Sequence, residues 1–179
     1  MKLRALLFSL AINAGPAIHC TGAGAAEPLI PGYGRIALIE HPQMRPDPAL
    51  DYKVVVNVTR AGENGAPPPE LEKVAKLANL LAQYGVPAAH RHIVAVIQGS
   101  ATMAVLSEAG MKARGKGANL TADLVAKLNA AGVRVDVCSQ ALAGFKIGQD
   151  EVMPGIQVDL SALTTLTTLE LQGYAMLSD

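Results

Sequence analysis

Short apolar runs alternate with segments of helical periodicity along most of the chain. Residues 52–59 form a nearly continuous β-branched run of strand length, as expected for a central strand with both faces covered. Apolar residues then recur at helical spacing from Leu71 to Ala82 and stop at Gly85, which predicts an amphipathic helix ended by glycine. The same alternation predicts strands at 93–97, 133–138, 156–158 and 174–177, short helices at 101–108 and 141–145, and longer helices after Thr121 and Ser161.

Strands that alternate with helices favour one parallel sheet of about five strands with helices on both faces, because right-handed crossovers place consecutive helices there. Thr121 and Ser161 are predicted N-caps. In the last helix, Leu163, Leu166 and Leu169 are predicted to face inward. Ligands of such folds bind at the carboxyl ends of the strands. Candidate chemistry is therefore expected where the strands end, at 59–60, 98–100 and 138–140.

The N-terminal region has a different pattern. Lys2 and Arg4 precede an apolar run to about residue 18, and small residues follow at 23–25, which predicts a cleaved secretory signal peptide over 1–25. An uncleaved anchor is the alternative, although the run is shorter than the roughly twenty apolar residues of a spanning helix. The predicted location is periplasmic or secreted, without stable membrane insertion after cleavage. Residues 26–51 read as a proline-rich arm with room for one short strand at 35–39, and residues 52–179 as the α/β domain.

Composition narrows the classes of function. The chain has 179 residues, 15 Lys and Arg against 15 Asp and Glu, and 50% hydrophobic residues, which is typical of one globular domain. Zero net charge and 3% aromatic residues provide neither a basic surface for phosphates nor stacking platforms for bases. We therefore expect no nucleic-acid partner.

Cysteine usage directs attention to one residue. Cys20 is expected to leave with the signal peptide unless it is lipidated, and residues 17–19 lack the small residue expected before a lipoprotein cysteine, so the mature chain is expected to keep a single thiol at Cys138. In an oxidising compartment, a single thiol is buried and inert, paired with another chain, or chemically used. A cysteine between a strand end and a helix start has backbone N–H groups nearby, which favour the thiolate and its nucleophilicity.

Other strand-end residues are weaker candidates. Arg60 could meet an anionic sulfur donor, and Gly99 and Ser100 could offer N–H groups to an anion at the same edge of the sheet. His90 and His92 read as part of a solvated turn, because no CxxC motif and no ligand spacing of a structural zinc site accompany them. The sequence predicts neither a metal site nor a cofactor.

A family resemblance rests on the segment Val-Asp-Val-Cys-Ser-Gln-Ala-Leu at 135–142. This segment resembles the cysteine segment of the DsrE/DsrF-like sulfur-relay family, and further segments resemble its secreted branch in the same order: 33–34, 52–55, 79–81, 99–102, 131–133 and 171–175. The resemblance covers essentially the whole mature chain. It implies a flavodoxin-like three-layer fold, a homotrimer or hexamer, and Cys138 as the position that carries sulfur as a persulfide.

Two departures from the family pattern bear on activity. Gln98-Gly99 stands where members often have His-Gly, so a candidate base is missing. Cys138-Ser139-Gln140 stands where Cys-Gly-Gln is usual, so a hydroxyl group lies beside the thiol. The resemblance favours a periplasmic sulfur carrier in which Ser139 and Gln140 orient Cys138, with another protein as sulfur donor or acceptor. The alternative is a non-catalytic oligomeric binding module with Cys138 as a buried structural residue.

Overall fold

A computed structural model describes residues 27–178, and the predicted signal peptide lies outside this range. The strands are β1 Tyr52–Val58, β2 Arg91–Ile97, β3 Arg134–Cys138, β4 Ile156–Asp159 and β5 Ala175–Leu177. The α-helices are α1 Pro69–Gln83, α2 Glu108–Ala113, α3 Ala122–Ala130, α4 Ser139–Gly144 and α5 Ala162–Leu171, and 3-10 helices cover Glu63–Gly65, Ala88–His90, Gly99–Val105 and Gln149–Glu151. No helix within the described range is long and apolar enough to span a membrane.

All five strands are parallel and lie in the order β4-β3-β2-β1-β5. The first four strands step outward in one direction, and the chain then returns to place β5 beside β1. The predicted three-layer α/β class is confirmed. The strand order differs from the 2-1-3-4-5 of flavodoxin itself, because here the last strand pairs with the first.

The two faces of the sheet are covered unequally. Helices α1 and α3 pack on one face, which holds the larger apolar core. Helix α5 packs on the other face, over β1, β2 and β5, and encloses a smaller cluster. The buried members of that cluster are Val55, Val94, Val96, Cys138, Ala162, Leu166 and Leu169. We call this side the α5 face. Cys138 therefore lies on the less covered side of the sheet.

The first part of the N-terminal arm is anchored to α1 through one buried amide. Asn79 accepts from the backbone N–H of Ile30 at 2.7 Å and donates to the carbonyls of Tyr33 and Gly34 at 3.0 and 3.1 Å. Ile30 is completely buried. Gly34 has φ +57°, and a Cβ there would overlap the α1 backbone. This close approach requires glycine and fixes the arm against the helix.

Several local predictions are wrong, for identifiable reasons. Residues 35–39 form no strand, because the arm crosses α1 and does not reach a sheet edge. The helix predicted at 101–108 was expected to stop before Gly110, but α2 runs through Gly110, whose backbone packs against Glu151. Thr121 precedes α3 without a side-chain cap. Leu163 is 75% exposed, and Ala162 takes the inward position instead, four residues before Leu166 and seven before Leu169. Ser161 does cap α5, accepting from the N–H of Leu163.

Candidate functional site

Cys138 is the last residue of β3 and directly precedes α4. It is 4% exposed and packs on the α5 face among Ala162, Leu166 and the partly buried Ala141. It is the free cysteine of the described range. The thiol therefore stands at the carboxyl end of the sheet, as predicted, but under the first turns of α5 and out of direct contact with bulk solvent.

The side chains of the two residues after Cys138 bind the connection that precedes α5. Ser139 Oγ donates to the Leu160 carbonyl at 2.7 Å, and Gln140 Nε2 donates to the same oxygen at 3.3 Å. Leu160 belongs to the two-residue connection between β4 and α5 and is 72% exposed. Ser139 and Gln140 thus tie the start of α5 to the end of β3, and their polar atoms face this connection.

Gly99 and Ser100 join the ends of β1 and β2. Ser100 Oγ donates to the Thr59 carbonyl at 3.0 Å and accepts from the N–H of Ala61 at 2.9 Å. Gly99 has φ +58°, and a Cβ there would lie 3.0 Å from the Thr59 oxygen. The Ser100 hydroxyl thus connects the start of the chain after β2 to the end of β1. The role of this turn in the structure is to hold these two strand ends together.

Gln98 reaches the α5 face beside Cys138. The pairing of Ile97 with Val137 places Gln98 next to Cys138 across the β2–β3 step. Its Nε2 donates to Asn57 Oδ1 of β1 at 2.8 Å, so polar side chains of β1 and β2 are bonded to each other on this face. A carboxamide is not basic, so Gln98 supplies no base beside the thiol.

Arg60 points to the other side of the sheet. Its Nε donates to Glu70 Oε1 at 2.9 Å, and the Glu70 side chain is 4% exposed at the start of α1. Helix α1 packs on the face opposite Cys138. Two strand spacings of about 4.8 Å separate β1 from β3. The structure thus brings Ser139, Gln140 and Gln98 to Cys138, but directs Arg60 away from it.

A carboxyl pair that sequence reasoning missed lies beside Cys138. Asp136 is two residues before the thiol on the same face and is completely buried. Asp159 pairs with Cys138 across the β3–β4 step. Asp136 Oδ2 accepts from Arg134 Nε at 2.9 Å, whereas its Oδ1 has no hydrogen-bond partner. Thr165 Oγ1 of α5 donates to Asp159 Oδ2 at 2.7 Å.

Burial raises the pKa of Asp136 from 3.8 to about 6. The Arg134 guanidinium opposes this shift, and the neighbouring Asp159 carboxyl adds to it by repulsion and by sharing a hydrogen bond with the protonated form. The available signal in the sequence was a carboxylate in the middle of an apolar strand, Val-Asp-Val. A group in this position holds a proton more tightly than an ordinary carboxyl.

A groove of about 290 Å³ opens beside the pair, between the β3–β4 edge and α5. Its lining includes Arg134, Asp159 and three threonines of α5, Thr164, Thr165 and Thr168. Because α5 leans toward β1 and β5, it leaves this side of the sheet partly open. Asp159 therefore lies beside Cys138 in the sheet and also lines an open groove.

The described residues contain no group of three or more His, Cys, Asp or Glu side chains arranged to hold a metal ion. His90 Nδ1 lies 2.9 Å from the Pro48 carbonyl, and His92 Nε2 lies 3.6 Å from Asp51 Oδ1. The two histidines therefore contact separate parts of the arm and its junction with β1.

Comparisons with known proteins identify the family. Residues 53–178 match the model of the DsrE/DsrF-like family. The chain belongs to this family, which is associated with sulfur relay. No curated protein matches the chain.

Two solved structures share the fold. The protein of unknown function MTH1491 from Methanobacterium thermoautotrophicum is 20% identical with a TM-score of 0.55, over 71% of this chain and 98% of that one. The ychN protein from E. coli is 18% identical with a TM-score of 0.50, over 69% and 95% of the two chains. Both similarities support the α/β architecture.

Proposed function

We propose that this protein is a sulfur carrier of the secreted DsrE/DsrF-like branch, which holds sulfane sulfur as a persulfide on Cys138. The observation that carries the proposal is the position of the thiol. It stands at the carboxyl end of β3, where parallel α/β sheets bind ligands, in the segment that resembles the family's cysteine segment. Polar groups of Gln98 and Asp159 flank it on both neighbouring strands.

Access to the thiol requires a local opening. The cover consists of the 160–161 connection and the first turn of α5, tied down by the bonds of Ser139 and Gln140 to Leu160. A few exposed hydrogen bonds are the kind of contact that opens well below the free energy of global unfolding. We propose that this connection moves aside when a sulfur donor or acceptor docks.

The burial of Cys138 favours a second candidate of another class. A thiol that is 4% exposed and packed against Ala162 and Leu166 also suits a non-catalytic binding module, in which Cys138 is a small core residue. The two candidates differ in the reactivity of the thiol in the folded protein, and this difference can be measured.

Alkylation of the native protein by iodoacetamide, followed by mass mapping of the peptide that contains Cys138, separates the candidates. A carrier is expected to label far faster than it unfolds, and Ser139→Ala is expected to speed labelling further by releasing Leu160. Ser107→Ala is the matched control, because it removes one N-cap bond, from Gly110 N–H to Ser107 Oγ, in a helix that contributes no residue to the cluster around Cys138. Labelling only after denaturation would contradict the carrier and support the module.

Location and assembly complete the proposal. The signal-peptide pattern at 1–25 supports export to the periplasm or beyond, and the resemblance supports a homotrimer or hexamer. Cell fractionation and the native mass of the mature protein test these two points. A cytoplasmic full-length chain would contradict the first, and a monomer at micromolar concentration would contradict the second.

A further inference from the structure

We propose that the carboxyl pair Asp136–Asp159 is the proton acceptor for Cys138 during sulfur transfer, with Asp159 facing the thiol and Asp136 positioning and sharing the proton. This inference rests on the proposed sulfur-carrier function and supplies the base that the sequence lacks at Gln98. It is carried by strand register, by an unpaired buried oxygen and by the groove that Asp159 borders.

Register places Asp159 within reach of the thiol. Cys138 and Asp159 are direct partners on adjacent parallel strands, so their Cα atoms lie about 4.8 Å apart and their side chains leave the sheet on the same face. Thr165 holds Asp159 beneath α5, next to the residues that cover Cys138. A proton can therefore pass between the two side chains without a large movement.

Asp136 Oδ1 provides the place where the proton is shared. This oxygen is buried without a hydrogen-bond partner, which costs free energy while the carboxylate is ionised. A proton held between Asp136 and Asp159 gives it a partner. Above pH 6 the Asp136 carboxyl is mostly ionised and ready to accept, and it holds a proton more tightly than an ordinary carboxyl because burial raises its pKa to about 6.

Few other charges face the pair. Arg134 on β3 contacts Asp136 directly. On β2 the nearest same-face titratable group is His92, which pairs with Asp51, and on β1 it is Lys53, which donates to the Gln172 carbonyl. Helix α5 presents Thr165 to the pair, and β4 contributes Gln157 on this face. Arg134 is thus the cation that contacts the ionised Asp136 carboxyl in the resting protein.

The step balances without an oxidant. The Cys138 sulfur attacks the terminal sulfur of a donor persulfide R–S–SH while its thiol proton moves to Asp159. The S–S bond to R breaks, its electron pair leaves on R–S⁻, and the proton held by the carboxyl pair returns to give R–SH. Cys138 becomes a persulfide, and sulfane sulfur has only changed carrier. Asp159 can exchange its proton with water through the groove between transfers.

The test is the pH dependence of Cys138 modification in the intact mature protein, measured with a glutathione persulfide donor and separately with iodoacetamide. In the wild type, both rates are expected to fall as the pH drops below about 6. Asp159→Asn, which can still accept from Thr165, is expected to lower both rates at least about tenfold at neutral pH and to replace the bend near pH 6 by a continuous fall with falling pH, because only the thiolate then reacts. Asp136→Asn is expected to shift the fall to lower pH. Asp150→Asn, an exposed carboxyl elsewhere, is the control and should leave both profiles unchanged.

Rescue distinguishes a proton acceptor from a structural role. Added formate is expected to restore the rate of Asp159→Asn, because a small carboxylate can enter the groove, whereas it should not affect the wild type. Wild-type rate and profile in Asp159→Asn would overturn the inference. If the wild type alkylates with the expected profile but takes up no sulfur, the carrier proposal fails and the acceptor role toward the thiol stands.

Discussion

Replacing Asp136 by Asn tests the electrostatics of the α5 face through stability. Asp136 is completely buried, with one oxygen bonded to Arg134 and the other unpaired. A carboxyl whose pKa moves from 3.8 to about 6 on folding binds its proton more tightly in the native state. Each pKa unit corresponds to about 1.4 kcal/mol, so this group changes the free energy of unfolding by ~3 kcal/mol across that pH window.

The sign follows from the direction of the shift. Because the folded pKa is raised, the native state is favoured by protonation, and the wild type loses this stability as the pH rises from about 4 through about 6. Asn keeps the shape and an acceptor for Arg134 but cannot ionise. Asp136→Asn should therefore gain ~3 kcal/mol relative to the wild type between pH 3.5 and pH 7.5, as the order of magnitude of one such shift.

Urea unfolding of both proteins at several pH values across this window measures the effect. The contributions of titrating groups distant from Asp136 cancel in the difference between wild type and variant, whereas the coupling of Asp136 to Asp159 is part of the measured difference. A difference that stays constant within about 0.5 kcal/mol across the window would refute the burial argument. A difference of the opposite sign would mean that Arg134 stabilises the ionised form beyond its desolvation cost.

Three further predictions concern the arm and the 146–152 loop. Asn79→Ala should cost at least about 2 kcal/mol in urea unfolding and expose the arm to proteolysis, because it strands the buried Ile30 N–H; an unchanged midpoint would contradict this. Gly34→Ala should lower the melting temperature much more than Gly32→Ala, since both have positive φ but only Gly34 meets the α1 backbone; equal losses would refute the close approach. Glu151→Gln should lower the melting temperature at neutral pH but little at acid pH. The bonds from Arg114 and Gly148 lower the pKa of the Glu151 carboxyl, so the stability that these bonds give the folded protein is lost as the pH falls. A loss of melting temperature that does not depend on pH would contradict this.

The layers of the fold follow from local patterns. Runs such as Val54–Val56 are apolar at every position, which suits a strand covered on both faces, and β1 is present as predicted. The predicted amphipathic face of α1 is buried, and Gly85 ends the helix region with φ +82°. These features depend on neighbours in sequence, so periodicity is enough to find them.

Other features depend on contacts between distant residues. The apolar residues at 36–39 suit a short strand, but a strand needs a partner, and the bonds of Asn79 to Tyr33 and Gly34 hold the chain just before this segment against α1 instead. Helix α2 has six residues with glycine in the middle and is capped by Ser107, and Gly110 fits closely against the backbone of Glu151. No local pattern encodes either contact.

In the candidate site, too, some features follow from the local sequence and others depend on distant contacts. The strand-end position of Cys138 could be predicted, because it depends on where β3 ends and α4 begins. Its burial and its pairing with Asp159 could not, because they depend on the register of β4 and on the path of α5. Arg60 shares the strand-end position but is held by Glu70 on the opposite face, which only the packing of α1 decides.

Intact mass spectrometry of the native mature protein, before and after exposure to polysulfide or thiosulfate, tests whether Cys138 carries sulfur. Sulfur carriage predicts a gain of one sulfur atom that a reductant reverses and that Cys138→Ser lacks. A wild-type protein whose mass stays unchanged with both donors, while its unfolded form reacts normally, would contradict sulfur carriage and leave Cys138 as a packing residue of the α5 face.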